Sequence, residues 1–486
     1  MLKVYIKNLF ILSKQARLIA FLILFFIFFS TLSLYAYSYV SGDLILNNID
    51  IKLPLSIASF IIFVLLIVSG TINRNFYFFC LPLVALAVPN SVNDLLPAFW
   101  AGPQSDRGAA TVSLITHLDL YLLAGIFLFS KSKGSLRHNS IKEANAIIFT
   151  ILFVVFFSIF CWLIFDAFTD YNPLLFFGNS FQVRYLIYVS LLIKFINKND
   201  IRNFNKGLLL AVSLVIIEAL IYTISFQNSV LTSGNFGTNT LGVLLGFSLI
   251  YISSIKNIGI QIKIFIMLAI SLALFLTGTR SAIIAIFLSY ILYIPFLKIG
   301  FIRLSGLLLI FSCFLLFVFK NELIFFLDPF LLLIETDYSF LEERGLVGGE
   351  LSSITTRLSL WITSFDLIKD FPFGIGLTQF NFLKLDYGFM VPVFIDPHND
   401  YINFILKYGI INGSIMIYIL FVHSLVIINA QKSYKLKSVT VKLMFFVILA
   451  GLSNSNLDKH QFFFLFIFIL FGALKDWSNN HNIIFK

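Results

Sequence analysis

Long apolar runs recur along almost the entire chain, and they constrain its fold more than any other feature. The runs lie near residues 18–40, 51–70, 76–90, 112–130, 146–168, 175–196, 207–226, 238–255, 260–278, 281–297, 301–319, 402–430, 440–457 and 460–476. A helix of about 20 apolar residues crosses the hydrocarbon core of a bilayer, and several of these runs are shorter. Because charged residues make up only 12% of the chain, the pattern predicts an all-α integral membrane protein with about 12 to 14 transmembrane helices.

Lysine and arginine concentrate in every second loop, and this alternation predicts the direction of each helix. Segments 131–142 and 194–206 are basic, whereas the loops near 41–50, 166–174 and 227–237 contain no lysine or arginine. Under the positive-inside rule, the basic loops and both termini are predicted to lie in the cytoplasm. The net charge of +10 therefore reflects membrane topology and does not indicate nucleic-acid binding.

The apolar pattern is interrupted once, at about residues 320–400, and this segment is predicted to be a large loop. It follows eleven predicted transmembrane helices in residues 1–319 and precedes the C-terminal transmembrane helices in residues 401–486. The charge alternation places the loop outside the cytoplasm, which means the periplasm in a bacterium with two membranes.

The loop contains a predicted amphipathic helix. Apolar side chains recur at spacings of four, three, four and three residues, at Ile354, Leu358, Trp361, Phe365 and Ile368. This period favours one apolar face of an α-helix. Ser352 or Ser353 can cap its beginning, and the proline and glycines of residues 371–376 end it.

Two arginines next to or within this loop are candidates for anion binding. Arg280 separates two apolar runs at the outer face, and Arg357 lies on the amphipathic helix. Such arginines often only snorkel to the interface or face water. The alternative is a clamp, because the guanidinium presents five donors that suit phosphate oxygens. Arg184, near the outer end of its run, is a possible further member.

His398 is the candidate for proton transfer. It follows Pro397 in a predicted turn that leads into the next helix, which would place it at the mouth of the bundle. A lone loop histidine is more often structural, but Asp396 and Asp400 could orient it and favour its protonated form. A neutral imidazole could instead accept a proton from a sugar hydroxyl.

Other ionisable residues inside the runs, among them His117, Asp119 and Glu218, are functional candidates by default. For Asp119 and Glu218, pairing within the bundle is the simpler expectation. The sequence lacks a Walker A loop, a Cys/His cluster and an Asp-X-Asp pair, so no ATP, metal or other cofactor is predicted. A donor whose phosphates already lie at the membrane fits better than a nucleotide sugar.

Four segments resemble the superfamily of O-antigen ligases and O-antigen polymerases. They are residues 234–242, residues 277–281, residues 357–361 followed by 372–376, and residues 397–401 followed by Gly409. The resemblance implies a multi-pass glycosyltransferase of the bacterial inner membrane. It also implies a glycan donor on undecaprenyl diphosphate and a metal-independent reaction that inverts the anomeric carbon.

By the same resemblance, the arginines at 280 and 357 would bind the diphosphate, with Arg184 as a further donor-binding residue. His398 would act as the base or position the acceptor hydroxyl. Supporting roles are implied for Asn239, Asp396, Asn399 and Trp361.

The acceptor remains open at this stage. It is another lipid-linked repeat in a polymerase, for which a chain-length regulator is a candidate partner, or the lipid A-core in a ligase. Ligases often have Gly-x-x-Gly after the histidine segment, whereas here the glycines are Gly409 and Gly413, which favours polymerisation slightly. A protein O-oligosaccharyltransferase is a third variant, and a non-enzymatic flippase or exporter of the same glycans is the competing class.

Overall fold

The computed structural model describes residues 64, 73–88, 98–100, 111–113, 116–130, 181–225, 227–233, 236–255, 259–299, 350–375, 380, 397–425, 434–457 and 459–481. The α-helices in these ranges are α1 Arg74–Leu86, α2 His117–Ser130, α3 Phe181–Phe195, α4 Lys198–Ser225, α5 Gly237–Ser254, α6 Ile260–Leu276, α7 Arg280–Ile299, α8 Glu350–Asp370, α9 Asp400–Tyr408, α10 Ile410–Ile417, α11 Tyr434–Gly451 and α12 His460–His481. A π-helical segment, Tyr418–His423, continues α10. The described part is therefore almost entirely helical, as the apolar pattern predicts.

One short hairpin interrupts the otherwise helical part that the structure describes. Strands β1, Ala98–Trp100, and β2, Thr111–Ser113, pair antiparallel with Phe99 opposite Val112. The hairpin lies between α1 and α2, and pairing of the two strands satisfies backbone groups that a helix would otherwise satisfy internally.

Helix lengths support a membrane protein only in part. Among the described residues, Asn199–Ser225 within α4 is the one helix that is long and apolar enough to cross a bilayer, and the other apolar helices found there have 10–17 residues. Much of the predicted count of 12 to 14 helices falls on residues outside the described ranges.

Two predicted runs are divided differently from the sequence pattern. The run at 402–430 is broken at Gly409 into α9 and α10, because Gly409 has a φ of 85°. A Cβ at Gly409 would also lie 2.6 Å from the carbonyl oxygen of Phe373. The run at 440–457 ends early, since α11 stops at Gly451.

Contacts between the ends of different helices lie in two separate groups, one at each end of the bundle. At the first end, Arg74 forms an ion pair with Asp200 at 2.6 Å, and the Tyr251 hydroxyl donates to Asn205 Oδ1 at 2.8 Å. These residues lie in or beside loops predicted to be cytoplasmic. At the second end are the beginnings of α5 and α7, which the hydrogen bond from the Thr279 hydroxyl to the carbonyl oxygen of Thr238 joins. Which end faces the cytoplasm stays a prediction from charge.

Aromatic rings fill much of the core between these ends. Tyr77 and Tyr121 stack with centroids 4.6 Å apart, and each hydroxyl donates to the other residue's carbonyl oxygen at 2.9 and 3.0 Å. Phe204 of α4 stacks on Phe468 of α12 at 4.3 Å. The reciprocal bonds matter because a buried hydroxyl without a partner is costly.

The amphipathic helix exists as α8, but its buried face differs from the predicted one. Leu360, Ser364 and Leu367 are fully buried, whereas Phe365 is 56% exposed. The buried face is displaced by one residue, which is about 100° around the helix. The reason is that α8 packs on α9, where Leu360 and Leu367 join a cluster with buried apolar side chains of that helix. The first described residue of α8 is Glu350, so the helix extends before the beginning predicted at Ser352 or Ser353.

Candidate active site

His398 occupies a strained turn immediately before α9. Its φ is 51°, in the left-handed region that few residues other than glycine adopt. The next residue, Asn399, caps α9, because its Oδ1 accepts from the backbone N–H groups of Tyr401 and Ile402 at 2.9 and 3.1 Å. The predicted turn into a helix is confirmed, and strain of this kind persists only where neighbours hold the backbone in place.

Two side-chain hydrogen bonds hold this turn on either side of His398. The indole N–H of Trp361 donates to the carbonyl oxygen of Pro397 at 2.9 Å. The side-chain amide of Asn399 donates to the carbonyl oxygen of Leu452 at 3.0 Å. The half-buried His398 is therefore flanked by contacts to α8 and to the turn that follows α11.

Arg357 lies one helical turn before Trp361 on α8. Side chains four residues apart on a helix have Cβ atoms about 6 Å apart, so Arg357 lies next to Trp361 on the surface of α8. Partial burial lowers the pKa of Arg357 from its ordinary value. Arginine nevertheless stays charged at neutral pH, because its ordinary pKa is far above 7.

Arg280 is the first residue of α7 and is exposed. Thr277 and Thr279 beside it are buried, and Gly278 between them has a φ of 66°. The Thr279 hydroxyl donates to the carbonyl oxygen of Thr238 at 3.3 Å. This bond joins the α6–α7 turn to the first turn of α5, where Asn239 is exposed.

The turn Leu452–Leu457, between α11 and α12, connects the two halves of this region. Leu452 accepts from Asn399, and the Asn454 side chain donates to the Ser281 hydroxyl at 3.0 Å. The sequence analysis missed this turn because it was included in an apolar run. The signal was present in the four successive polar residues 453–456.

Three helices, α5, α7 and α9, therefore begin in the region bounded by these contacts. Each helix N-terminus carries a partial positive charge, although at α9 two of the first backbone N–H groups already donate to Asn399. Together with the exposed guanidinium of Arg280, the arrangement favours an anionic group such as phosphate.

Arg184 lies in a separate polar cluster at the beginnings of α2 and α3. It forms an ion pair with Asp119 at 3.2 Å, and Asp119 also accepts from the backbone N–H of Thr116 at 2.7 Å. The expectation that Asp119 pairs inside the bundle is confirmed. Contact of Arg184 with a donor stays a prediction.

Asp396 lies outside the described residues. Within the ranges that are described, no group of three or more His, Cys, Asp or Glu side chains is arranged to hold a metal ion.

The fold and this region define a helical membrane protein with cationic side chains and a strained histidine at one end of its bundle. Residues 265–417 match the family model described as O-antigen ligase. The matched segment contains Arg280, Arg357 and His398, and it confirms the resemblance to the O-antigen ligase and polymerase superfamily. At this level, the match supports a membrane protein with a link to polysaccharide biosynthesis and suggests an enzyme of the glycosyltransferase type. A comparison with curated proteins found no match.

Proposed function

We propose that this protein transfers an oligosaccharide from undecaprenyl diphosphate to an acceptor on the outer side of the bacterial inner membrane. The observation that carries the proposal is the junction around His398. Hydrogen bonds from Trp361 and Asn399 fix its strained turn, and the turn Leu452–Leu457 links it to the helix that Arg280 begins.

The arginines bind the leaving group in this mechanism. Arg280 and Arg357 contact the diphosphate oxygens, and the N-termini of α5 and α7 add their partial positive charge. Charge develops on the diphosphate as the bond to the anomeric carbon breaks. Hydrogen-bond donors that are already in position stabilise that charge more in the transition state than in the ground state.

His398 acts on the acceptor. Its imidazole accepts the proton of the acceptor hydroxyl while the hydroxyl oxygen bonds to the anomeric carbon and the bond from that carbon to the diphosphate breaks. A single displacement of this kind inverts the anomeric carbon and requires neither a metal nor a covalent enzyme intermediate. Helix α8 covers the junction and limits access of water, which would otherwise hydrolyse the donor.

The remaining predicted residues support these groups. Trp361 and Asn399 hold the histidine turn, and Asn239 extends the polar surface beside Thr238 towards the donor. Asp396 orients the imidazole from the segment before the turn, and Arg184 provides a further cation for the donor.

The proposal covers both polymerisation of O-antigen repeats and ligation to the lipid A-core, which share this donor. The spacing of Gly409 and Gly413 does not separate them, since each glycine has a packing reason. A Cβ at Gly413 would lie 2.6 Å from the carbonyl oxygen of Phe404, where α10 approaches α9.

The test uses the purified protein in lipid nanodiscs with an undecaprenyl-diphosphate-linked repeat unit. Longer lipid-linked glycans formed from this substrate alone indicate a polymerase, whereas transfer only after addition of lipid A-core indicates a ligase. Transfer to an acceptor protein would indicate the oligosaccharyltransferase variant. In liposomes, movement of the labelled lipid across the bilayer with an unchanged glycan would indicate a flippase and overturn the proposal.

The same question can be asked in the host cell by deleting the gene and separating its lipopolysaccharide on a denaturing gel. Core with a single repeat indicates loss of a polymerase, and bare core with accumulated lipid-linked polymer indicates loss of a ligase. An unchanged profile would contradict a role in O-antigen assembly.

A further inference from the structure

We propose that Gln182, at the beginning of α3, is a positioning residue for the His398 turn. It acts through the peptide groups of Leu457, and this inference rests on the proposed role of His398. Gln182 itself lies outside the four segments of the sequence resemblance.

Gln182 is fully buried, and its side-chain amide makes hydrogen bonds through both ends. Its Nε2 donates to the carbonyl oxygen of Leu457 at 3.1 Å. Its Oε1 accepts from Lys407 Nζ at 3.1 Å and from the Tyr408 hydroxyl at 2.7 Å. Glutamine fits this position because it can accept two bonds and donate one from a single planar group.

Leu457 transmits this contact to the beginning of α9. Its backbone N–H donates to Asp400 Oδ1 at 2.8 Å, and Asp400 follows His398 by two residues. The Asp400 carboxylate packs closely on the end of α11, where a Cβ at Gly451 would lie 2.8 Å from Oδ2. A shift of Leu457 would therefore displace the first turn of α9.

The contacts close into a ring around α9. Asp400 at its beginning and Lys407 near its end are both tied to residue 457, directly or through Gln182. The charges also suit the helix, since an acidic group at the N-terminus and a basic group at the C-terminus are favourable. Lys407 is only 1% exposed. Burial of its ammonium group is costly without hydrogen bonds, so its bond to Gln182 is strongly favoured.

The same turn also holds the arginine side of the candidate site. Leu452 accepts from Asn399, and Asn454 donates to Ser281, the residue after Arg280. By fixing one end of this short turn, Gln182 sets the distance between His398 and Arg280 at the beginning of α7. Because Gln182 is buried, it acts through these neighbours and does not contact the substrate.

A positioning role predicts a specific kinetic change. Displacement of a catalytic group by about 1 Å can lower a rate on the order of 10²-fold, while contacts that bind the substrate remain. The turnover number kcat should therefore fall, and KM for the lipid-linked donor should change little.

The variant Gln182→Glu removes the hydrogen bond from residue 182 to the carbonyl oxygen of Leu457. A carboxylate keeps an acceptor for Lys407 and Tyr408, but it has no N–H for Leu457. We expect kcat to fall about 10²-fold, with KM within about threefold and a thermal midpoint near that of the original protein. Ser190→Ala is the control, since Ser190 is also buried on α3 but its hydroxyl donates only locally to Leu186 among the contacts resolved. Its kcat should be unchanged.

Amide hydrogen exchange provides a readout that does not depend on activity. Gln182→Glu should increase exchange in residues 397–401 and 452–457, while the control leaves both segments unchanged. Unchanged exchange in Gln182→Glu, or kcat equal to that of the original protein, would overturn the inference. If the original protein transfers no glycan, the proposed function fails, and the exchange result alone decides whether the link exists.

If Gln182→Glu does not fold, Tyr408→Phe tests the same link more gently. This variant removes one of the two bonds to Gln182 Oε1 and keeps the ring. A severalfold fall in kcat with KM unchanged supports the inference, and normal kcat contradicts it.

Discussion

Two arginines begin helices at opposite ends of the bundle, and their surroundings differ. Arg74 begins α1 and forms an ion pair with the fully buried Asp200 at 2.6 Å. Its guanidinium also lies 4.9 Å from the centroid of the Phe129 ring and donates to the carbonyl oxygen of Phe195. Arg280 begins α7 and is exposed.

A cation at a helix N-terminus is unfavourable, because it meets the positive end of the helix dipole. At Arg74 the carboxylate of Asp200 offsets this cost, so the arginine serves the packing of α1 on α4. At Arg280 the accessible guanidinium adds to the positive potential of the helix start. The comparison teaches that the position in a helix does not define the role of an arginine, whereas the burial of its surroundings does.

The largest expected effect is that of replacing His398, which the turn Leu452–Leu457 links to the beginning of α7. We expect His398→Ala to lower transfer about 10²–10⁴-fold, the usual contribution of a general base. His398→Asn is the sharper variant, because asparagine tolerates a positive φ and therefore keeps the turn. Product formation should be measured at equal protein amount in the membrane. Near-normal transfer by both variants would remove His398 from the mechanism.

Replacing each arginine by alanine tests the comparison directly. Arg280→Ala should lower transfer about 10²–10³-fold, as expected for loss of a donor to a developing negative charge, with little change in the thermal midpoint. Arg74→Ala should instead destabilise the fold by about 3 kcal/mol, because the carboxylate of Asp200 would remain buried without its partner. Both variants need a transfer assay and a thermal melt. The comparison is wrong if Arg280→Ala destabilises the fold and Arg74→Ala lowers transfer without a loss of stability.

Arg357→Lys asks whether geometry matters in addition to charge. Lysine keeps the positive charge but cannot form the paired hydrogen bonds of a guanidinium. We expect transfer to fall about tenfold, which corresponds to roughly 1.4 kcal/mol of lost transition-state binding, and kcat/KM for the donor measures it. Full activity would identify Arg357 as a surface residue of α8. Lys369→Arg, on the exposed end of the same helix, is the matched control and should have no effect.

The smallest effect is expected for Trp361→Phe. Phenylalanine keeps an aromatic but smaller side chain, and it loses the hydrogen bond to Pro397, which is worth about 1 kcal/mol. We expect a severalfold fall in kcat. Loss of stability without loss of kcat would show that the indole holds α8 in place but does not hold the histidine turn.

Local sequence patterns predicted that the described part of the chain is almost entirely helical, for a physical reason. Hydrophobic length and the position of basic loops are one-dimensional properties, so they indicate spans and their direction before any contact is known. The turn from Pro397 into α9 was also predictable, since Asn399 is a strong helix cap.

Predictions that depended on packing were less accurate. The apolar period of α8 favoured a face through Phe365, but that side chain is exposed because α9 contacts Leu360 and Leu367 instead. The run at 402–430 looked continuous, yet Gly409 breaks it, because its backbone approaches Phe373 too closely for a side chain.

The sequence by itself determined that the chain is a helical membrane protein with two arginines and a histidine in segments shared by one superfamily. Only the tertiary structure decided how these segments meet. The bond from Gln182 to Leu457 joins residues 275 positions apart, and the bond from Asn454 to Ser281 joins residues 173 positions apart. Such contacts arise when helices pack and their buried polar groups must find partners, and no local pattern in the chain specifies them.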